Sequence, residues 1–329
     1  MRSLALGGST DPCSGSSPDF SQAQCALQGV PANWYGKIQP NPAGQYNTIT
    51  GGNTLLNPET AKTTSFGVVI SPRQLSGFTA AVDYYNIDLD STINALNADD
   101  ILKQCGLTGD STLCGLIHRD QFASLWRTPA GYTESTTQNV GKKQVRGVDT
   151  NINYVVPAGG ASVSLNLIGS YLMKAAIDTG LFSYDCVGLT GAICNDPYSD
   201  HPAMQPKWRH LFRASWERGN NTISAGWRMI GSVIAEELSD QKDLANSDPV
   251  LAQQLKDNFA DKYNAWHYVD LAFSRRLGPG VHATVGVNNV FDKNPPFGSG
   301  SNADDYAKGF YGTYDSYGRF VHFSLQFTF

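Results

Sequence analysis

Val321-His-Phe-Ser-Leu-Gln-Phe-Thr-Phe329 ends the chain and alternates large apolar with polar residues throughout. Val321, Phe323, Leu325, Phe327 and Phe329 fall on one face of a strand, and His322, Ser324, Gln326 and Thr328 on the other. Chain ends of water-soluble sandwiches tend to fray. A strand with five outward apolar positions at its end suits lipid on one side and a polar lumen on the other.

The same alternation recurs upstream. Phe66, Val68 and Ile70 share a face, as do Phe78, Ala80, Val82 and Tyr84, and then Val148, Thr150, Ile152, Tyr154 and Val156. Val163, Leu165 and Leu167 follow, then Trp208, Phe212, Ala214 and Trp216 set against Arg209, Arg213, Ser215 and Glu217. Ile223, Ala225, Trp227 and Met229 come next, then Val269, Leu271 and Phe273, then Val281, Ala283, Val285 and Val287. With the closing strand this predicts nine long strands.

Connection length is the second signal. Ser71–Gly77, Pro157–Gly160, Arg218–Asn221 and Gly278–Gly280 are tight, whereas about 90–144, 176–206, 235–264 and 292–318 are long. Short turns at one end and long loops at the other describe an antiparallel transmembrane β-barrel, with the turns in the periplasm and the loops extracellular. The expected fold class is therefore all-β, a portion of such a barrel. Parity agrees, because the first and ninth strands then both descend to the periplasm.

Composition points the same way. Charged residues make up 16% of the 329, below the roughly 25% of soluble domains. A net charge of -5 and the lack of a basic run exclude a nucleic-acid partner. No stretch approaches the roughly 18 apolar residues of a spanning helix; Ala161 to Ile177 is broken by Ser162, Ser164, Asn166, Ser170 and Lys174. The opening Met1-Arg-Ser-Leu-Ala-Leu lacks a sustained apolar segment of a secretion signal, so a targeting segment is expected upstream.

Six cysteines form three close pairs in polar stretches: Cys13 and Cys25, Cys105 and Cys114, Cys186 and Cys194. Local disulfides in an oxidising compartment fit better than metal sites, since no CxxC or nearby histidine set accompanies them. Reduced thiols are the alternative. Capped helices are expected at Asp99–Cys105 and Ser247–Lys256.

Trp208 and Trp216 lie eight residues apart on one face, roughly 20 Å of height at a tilt near 40°, and are candidates for the two membrane girdles. The alternative is a pair of core tryptophans in a sandwich. Asp83, Asp149, Arg209, Arg213 and Arg228 are the lumen-facing candidates, because such charges suit a wet interior and are costly in a dry core. No GxSxG, HExxH, Walker A or GxGxxG sequence occurs, and the histidines are scattered. No catalytic, cofactor-binding or metal-ligating residue is assigned, and no enzymatic activity is expected. Asp88, Asp90, Asp304 and Asp305 read as solvated loop carboxylates, with calcium binding the alternative.

Several phrases in order resemble the C-terminal barrel portion of TonB-dependent outer-membrane receptors. Leu56-Asn-Pro-Glu-Thr60 ahead of Phe66-Gly67-Val68 is similar to that family's strand entry, and Phe78–Asp88 to its next strand. Cys105 and Cys114 followed by Arg119-Asp120, then Gly147-Val148-Asp149, continue the likeness. Asn288-Asn-Val-Phe-Asp-Lys-Asn-Pro-Pro296 and Tyr314-Asp-Ser-Tyr-Gly-Arg319 complete it.

The resemblance implies that residues 1–55 are an extracellular loop segment and 56–329 the last strands of a barrel of about 22 strands closed around a plug. The plug and about 13 strands would lie outside this truncated chain. It further implies a Gram-negative cell outer membrane, contact with outer-membrane lipid, and a nutrient ligand at the extracellular loops. The siderophore-iron, carbohydrate and vitamin B12 classes are all in scope. Energy would come from the TonB complex through the plug, and Phe329 would be the signal read by the barrel assembly machinery. No cofactor is implied. A passive porin, a barrel enzyme or a secreted β-sandwich adhesin are the alternative readings.

Overall fold

The computed structural model describes residues 2–180, 183–191, 194, 204–239, 262–296 and 313–328. Its strands are β1 (Arg2–Gly7), β2 (Tyr46–Gly51), β3 (Thr60–Ile70), β4 (Phe78–Ala95), β5 (Ile117–His118), β6 (Tyr132–Ala158), β7 (Ala161–Asp178) and β8 (Ser183–Asp185). There follow β9 (Leu189–Thr190), β10 (Trp208–Arg218), β11 (Asn221–Ile230), β12 (Val233–Ala235), β13 (Lys262–Tyr263), β14 (Trp266–Gly278), β15 (Val281–Asn288) and β16 (Phe320–Phe327). The α-helices are α1 (Gln22–Leu27), α2 (Ala98–Thr108) and α3 (Ser111–Cys114). No described helix is long and apolar enough to cross a membrane.

The chain divides into two compact units. The first comprises Met1–Ala61, Leu89–Lys143 and Asp178–Ser183; the second comprises Lys62–Asp88, Gln144–Ile177 and Tyr184–Phe329.

The nine long strands that the alternation predicts neighbour one another in the order β3, β4, β6, β7, β10, β11, β14, β15, β16, and the second unit holds them except for Thr60–Ala61 of β3, Leu89–Ala95 of β4 and Tyr132–Lys143 of β6. Along this order every pairing from β7 onward is antiparallel. The turn between β6 and β7 is Gly159-Gly160, both at positive φ (57° and 77°). That is the two-residue geometry matching the twist of flanking strands, and it requires residues that tolerate the left-handed region. Register then carries each apolar row across the sheet: Trp216 faces Val163 and Ile223, Ile223 faces Phe273, Phe273 faces Val285, and Val285 faces Phe323.

This row is exposed. Trp216, Ile223, Phe273, Val285 and Phe323 all keep more than a third of their surface open, and Phe323 keeps 67%. On the opposite face Ser215 stands between Ser164 and Ser224, and Ser274 Oγ lies 2.8 Å from Thr284 Oγ1. A buried apolar cluster of this unit, Met204, Val233, Tyr263, Tyr268 and Tyr314, sits instead at one end of the strands.

Some boundaries differ from expectation. β4 runs to Ala95 and β6 begins at Tyr132, so the predicted connection over 90–144 is shorter and the strands longer. The added stretch, Tyr132–Lys143, is too polar to show an apolar stripe. The helix expected at Asp99 starts at Ala98, since the Asn97 side chain accepts the Asp99 amide and takes the cap. The helix expected over Ser247–Lys256 lies outside the described residues, as does Phe329.

The first unit has its own core. Tyr46, Leu96, Ile101, Leu102 and Leu125 pack together, and Cys13, Cys25, Val30, Ile38 and Ala123 form a second cluster. Disulfides join Cys13 to Cys25 and Cys105 to Cys114; Cys186 joins Cys194 in the second unit. A buried ion pair, Arg119 to Asp11 at 2.7 Å, ties the N-terminal segment down. Arg119 also donates to the Gln28 and Ala123 carbonyls and to Gln28 Oε1, so its remaining donors are not left bare.

Candidate functional site

The polar face of the second unit is hollowed into a cavity of about 630 Å³. Asp83 and Tyr85 from β4, Asp149 and Asn151 from β6, Arg209 from β10 and Arg228 from β11 all line it. Four of the five charged residues singled out from sequence thus converge on one space. Arg213 does not line it; its cross-strand neighbour is Asn166, whose amide reaches Asn153 Oδ1 at 2.7 Å and Asn151 Oδ1 at 3.3 Å. Ile168 and Leu211 put an apolar patch on the cavity wall that the alternation does not announce.

Glycines in the motifs make this face possible. A Cβ at Gly67 would collide with the Asp83 carboxylate, and one at Gly147 would stand 2.5 Å from the Tyr85 hydroxyl. Both glycines belong to phrases quoted above, and their role is close approach of the neighbouring strand's side chain.

The charges of this face are of two kinds. Asp83, Asp149, Arg209 and Arg213 are exposed and have no ion-pair partner among the described residues. Arg228 is held on both sides. Its guanidinium meets Asp270 (Nε–Oδ2 2.7 Å, Nη2–Oδ1 3.0 Å) and Asp315 (Nη1–Oδ1 2.8 Å, Nη2–Oδ2 2.6 Å), and lies 4.8 Å from the centre of the Tyr268 ring. Two forked pairs on one planar cation use the geometry that arginine offers and lysine lacks.

The network extends further. Asp270 Oδ1 also accepts from the Asn289 amide, and the Tyr268 hydroxyl accepts from the Asp315 amide. Asp292 Oδ1 takes the Arg319 amide at 2.7 Å, while Arg319 Nε donates to the Val290 carbonyl. The Asn288–Pro296 and Tyr314–Arg319 phrases are therefore two sides of one clasp. Sequence reasoning flagged both phrases without seeing the contact between them, because a tertiary pairing leaves no period in either.

On the apolar face, Trp208 and Trp216 occupy opposite ends of β10. The Trp208 indole donates to His210 Nδ1 at 2.8 Å, and Trp227 donates to His267 Nδ1 at 3.2 Å. The His210 and Trp227 rings stand nearly perpendicular, 4.5 Å apart, so indole and imidazole groups form a continuous row across three strands. These polar ring atoms sit near the strand ends. Trp216 is the half-exposed ring at the other end.

Among the described residues no cluster of three or more potential metal ligands occurs. Asp88 accepts from Gln144 at 2.6 Å, and Asp90 lies 3.5 Å from Lys142.

Known proteins share this architecture. The family model described as "TonB dependent receptor-like, beta-barrel" matches residues 17–290. The ferric enterobactin receptor of Pseudomonas aeruginosa superposes with a TM-score of 0.52 at 18% identity, over 87% of this chain and 33% of that one. The siderophore receptor PirA of Acinetobacter baumannii superposes with a TM-score of 0.51 at 13% identity, over 87% of this chain and 34% of that one. The chain thus spans about a third of the length of these solved receptors. No curated protein matches.

Proposed function

We propose, from the premise that this chain belongs to the TonB-dependent receptor β-barrel family, that it forms part of the barrel wall of a receptor importing a scarce nutrient across the outer membrane. The observation that supports this most is the two-sidedness of the nine-strand sheet. One face exposes a row of large apolar side chains. The other exposes Asp83, Asp149, Arg209 and Arg213, without ion-pair partners among the described residues, in and beside a cavity. Water on both sides would disfavour the first face, and a dry core would disfavour the second. Lipid outside and a wet or plug-filled lumen inside satisfy both.

In this reading residues 1–55 are extracellular, residues 56–329 supply the wall, and the tight turns face the periplasm. Trp208 and Trp216 sit at the two interfaces, and the cysteine pairs stiffen the outer loops that meet the ligand. Disulfides there lower the entropy lost when a loop is ordered on binding. Binding and passage, not bond chemistry, are the work of the wall. The TonB complex would act through a plug supplied by sequence outside this chain. The nutrient belongs to the siderophore-iron, carbohydrate or vitamin B12 class, and the two solved siderophore receptors favour the first only through fold.

Uptake measurements test the proposal. Cells lacking the gene are compared with the parent under limitation for iron, for carbohydrate and for vitamin B12, each with TonB intact and with TonB inactivated. Loss of uptake of one nutrient in both the gene deletion and the TonB-inactive strain is expected. Uptake that needs the gene but not TonB would identify a passive porin and overturn the proposal.

A further inference from the structure

The apolar face of the second unit carries an arginine. Arg146 and Thr150 of β6 share a face by alternation. A Cβ at Gly169 of β7 would stand 3.1 Å from Thr150 Oγ1 and 2.5 Å from the Trp208 ring. Arg146 therefore belongs to the side of Trp208 and His210, and Asp149 to the side of the cavity. The register set by the Gly159-Gly160 turn puts Met173, 43% exposed, opposite Arg146. With a rise of about 3.3 Å per residue and a tilt near 40°, Arg146 stands roughly 30 Å from that turn, at the upper margin of an apolar band about 25 Å tall.

The Arg146 guanidinium is half-buried, yet it makes no hydrogen bond and no ion pair among the described residues. Its Nε is covered, so the two terminal nitrogens are the ones open to a partner. A half-buried cation whose N–H donors meet no acceptor is costly, and an anion relieves that cost. Lys207, exposed just ahead of β10, holds its Nζ 5.6 Å from the centre of the Tyr171 ring. Tyr171 pairs with Trp208 and neighbours Met173 on the same face of β7. Arg146 and Lys207 thus flank one strand, with backbones roughly 10 Å apart. The carboxylates in this region are engaged: Asp88 accepts from Asn86 and Gln144, and Asp185 from the Ala175 and Val187 amides. Beside the two cations runs the row of Trp208, His210, Trp227 and His267 rings.

We propose that Arg146 and Lys207 hold the headgroup phosphate of an anionic lipid at the loop end of this face. A planar guanidinium forks to two phosphate oxygens, and the lysine adds a point charge from the other side of β7. Amphipathic rings such as Trp208 and Trp227 are favoured at the level of the headgroups. Below them the paired Leu167 and Phe212 offer apolar surface to acyl chains. A free phosphate would meet the cations and gain nothing from that surface, so a lipid is the occupant that uses both. The inference rests on lipid facing the apolar side and goes beyond it, since lipid contact alone sets no headgroup preference. The net charge of -5 makes general attraction to anionic lipid unfavourable, so a preference must be local.

Quenching of tryptophan fluorescence tests it, with the full chain reconstituted into phosphatidylcholine vesicles that carry a minor fraction of brominated-chain lipid. The brominated lipid is either phosphatidylglycerol or phosphatidylcholine, so the two samples differ only in the quencher's headgroup. Brominated phosphatidylglycerol is expected to quench more strongly. Trp208→Phe should remove much of the excess and Trp216→Phe none of it, since Trp216 lies at the opposite end of β10. Arg146→Gln should lower the preference for the anionic lipid about fivefold. Lys207→Gln, at an exposed position, should lower it as well, and it serves alone if Arg146→Gln fails to insert. Equal or weaker quenching by phosphatidylglycerol would overturn the inference while leaving lipid on the apolar face. Quenching by neither lipid would remove both readings, and a preference untouched by the Arg146 and Lys207 substitutions would overturn the site.

Discussion

Arg228 shows what one side chain contributes on the polar face. It projects from β11 between two carboxylates that come from different places, Asp270 on β14 and Asp315 ahead of β16. Without the cation, two carboxylates that it now separates would confront each other, and Asp270 would retain only the Asn289 amide. Arg228→Ala is therefore expected to destabilise by about 2–3 kcal/mol, less than a fully buried pair would cost because the guanidinium is 31% exposed. Arg228→Lys should recover only part of this, since a point charge cannot fork to both partners. Asp315→Asn should cost less than Arg228→Ala, because Asp270 still answers the arginine. Urea unfolding of the three variants in detergent, followed by tryptophan fluorescence, gives the order; an Arg228→Lys protein as stable as the parent would refute the bidentate account.

At the scale of the element, the strands are held in register by more than their backbone ladders. Trp208 pairs with Tyr171 and reaches diagonally across Gly169, the partner of His210, so that a Cβ at Gly169 would come 2.5 Å from the indole ring. An aromatic ring covering a cross-strand glycine fixes which residues face one another. Gly169→Ala should cost about 1–3 kcal/mol by overpacking, and most of the penalty should be lost in a Trp208→Ala background, leaving only the closer approach to Thr150 Oγ1. A double-mutant cycle on unfolding free energy reads the coupling. Such a pairing is invisible in sequence, as is the Arg228 clasp, because both join residues far apart along the chain. What sequence does show is the apolar period of two, from Phe66 through Phe327, the pattern that the proposed lipid-facing surface requires at every second position. The period fails where the constraint lifts. Tyr132–Lys143 of β6 is strand without a stripe, and β1 and β2 lie within a segment expected only as loop. Asp83, Asp149, Arg209 and Arg228 are legible as polar-face residues because charge alternates with apolar residues there; Asp270, between Val269 and Leu271, carries the same mark, whereas Asp315, ahead of β16, carries none.

For the nine-strand sheet of the second unit taken whole, the two faces make opposite demands on the same substitution. Leu271 lies near the middle of β14 on the apolar face, 45% exposed and paired with Ala225 and Val287. Ala272, one residue on, belongs to the polar face and is paired with Ser224 and Gly286. An arginine at the midplane of a lipid-facing surface costs about 2–4 kcal/mol, whereas one facing an aqueous lumen costs little. Leu271→Arg is therefore expected to slow or prevent insertion into phospholipid vesicles and lower stability by that amount, while Ala272→Arg inserts as the parent does. A soluble sandwich makes a different forecast: with water on the Leu271 side, arginine there would be tolerated. Equal insertion of the two variants, measured by protection from added protease, would then speak against lipid on the apolar face. The pair differs by one position and shares one element, so strand propensity and overall charge are matched, and the outcome depends on which side of the sheet meets the membrane.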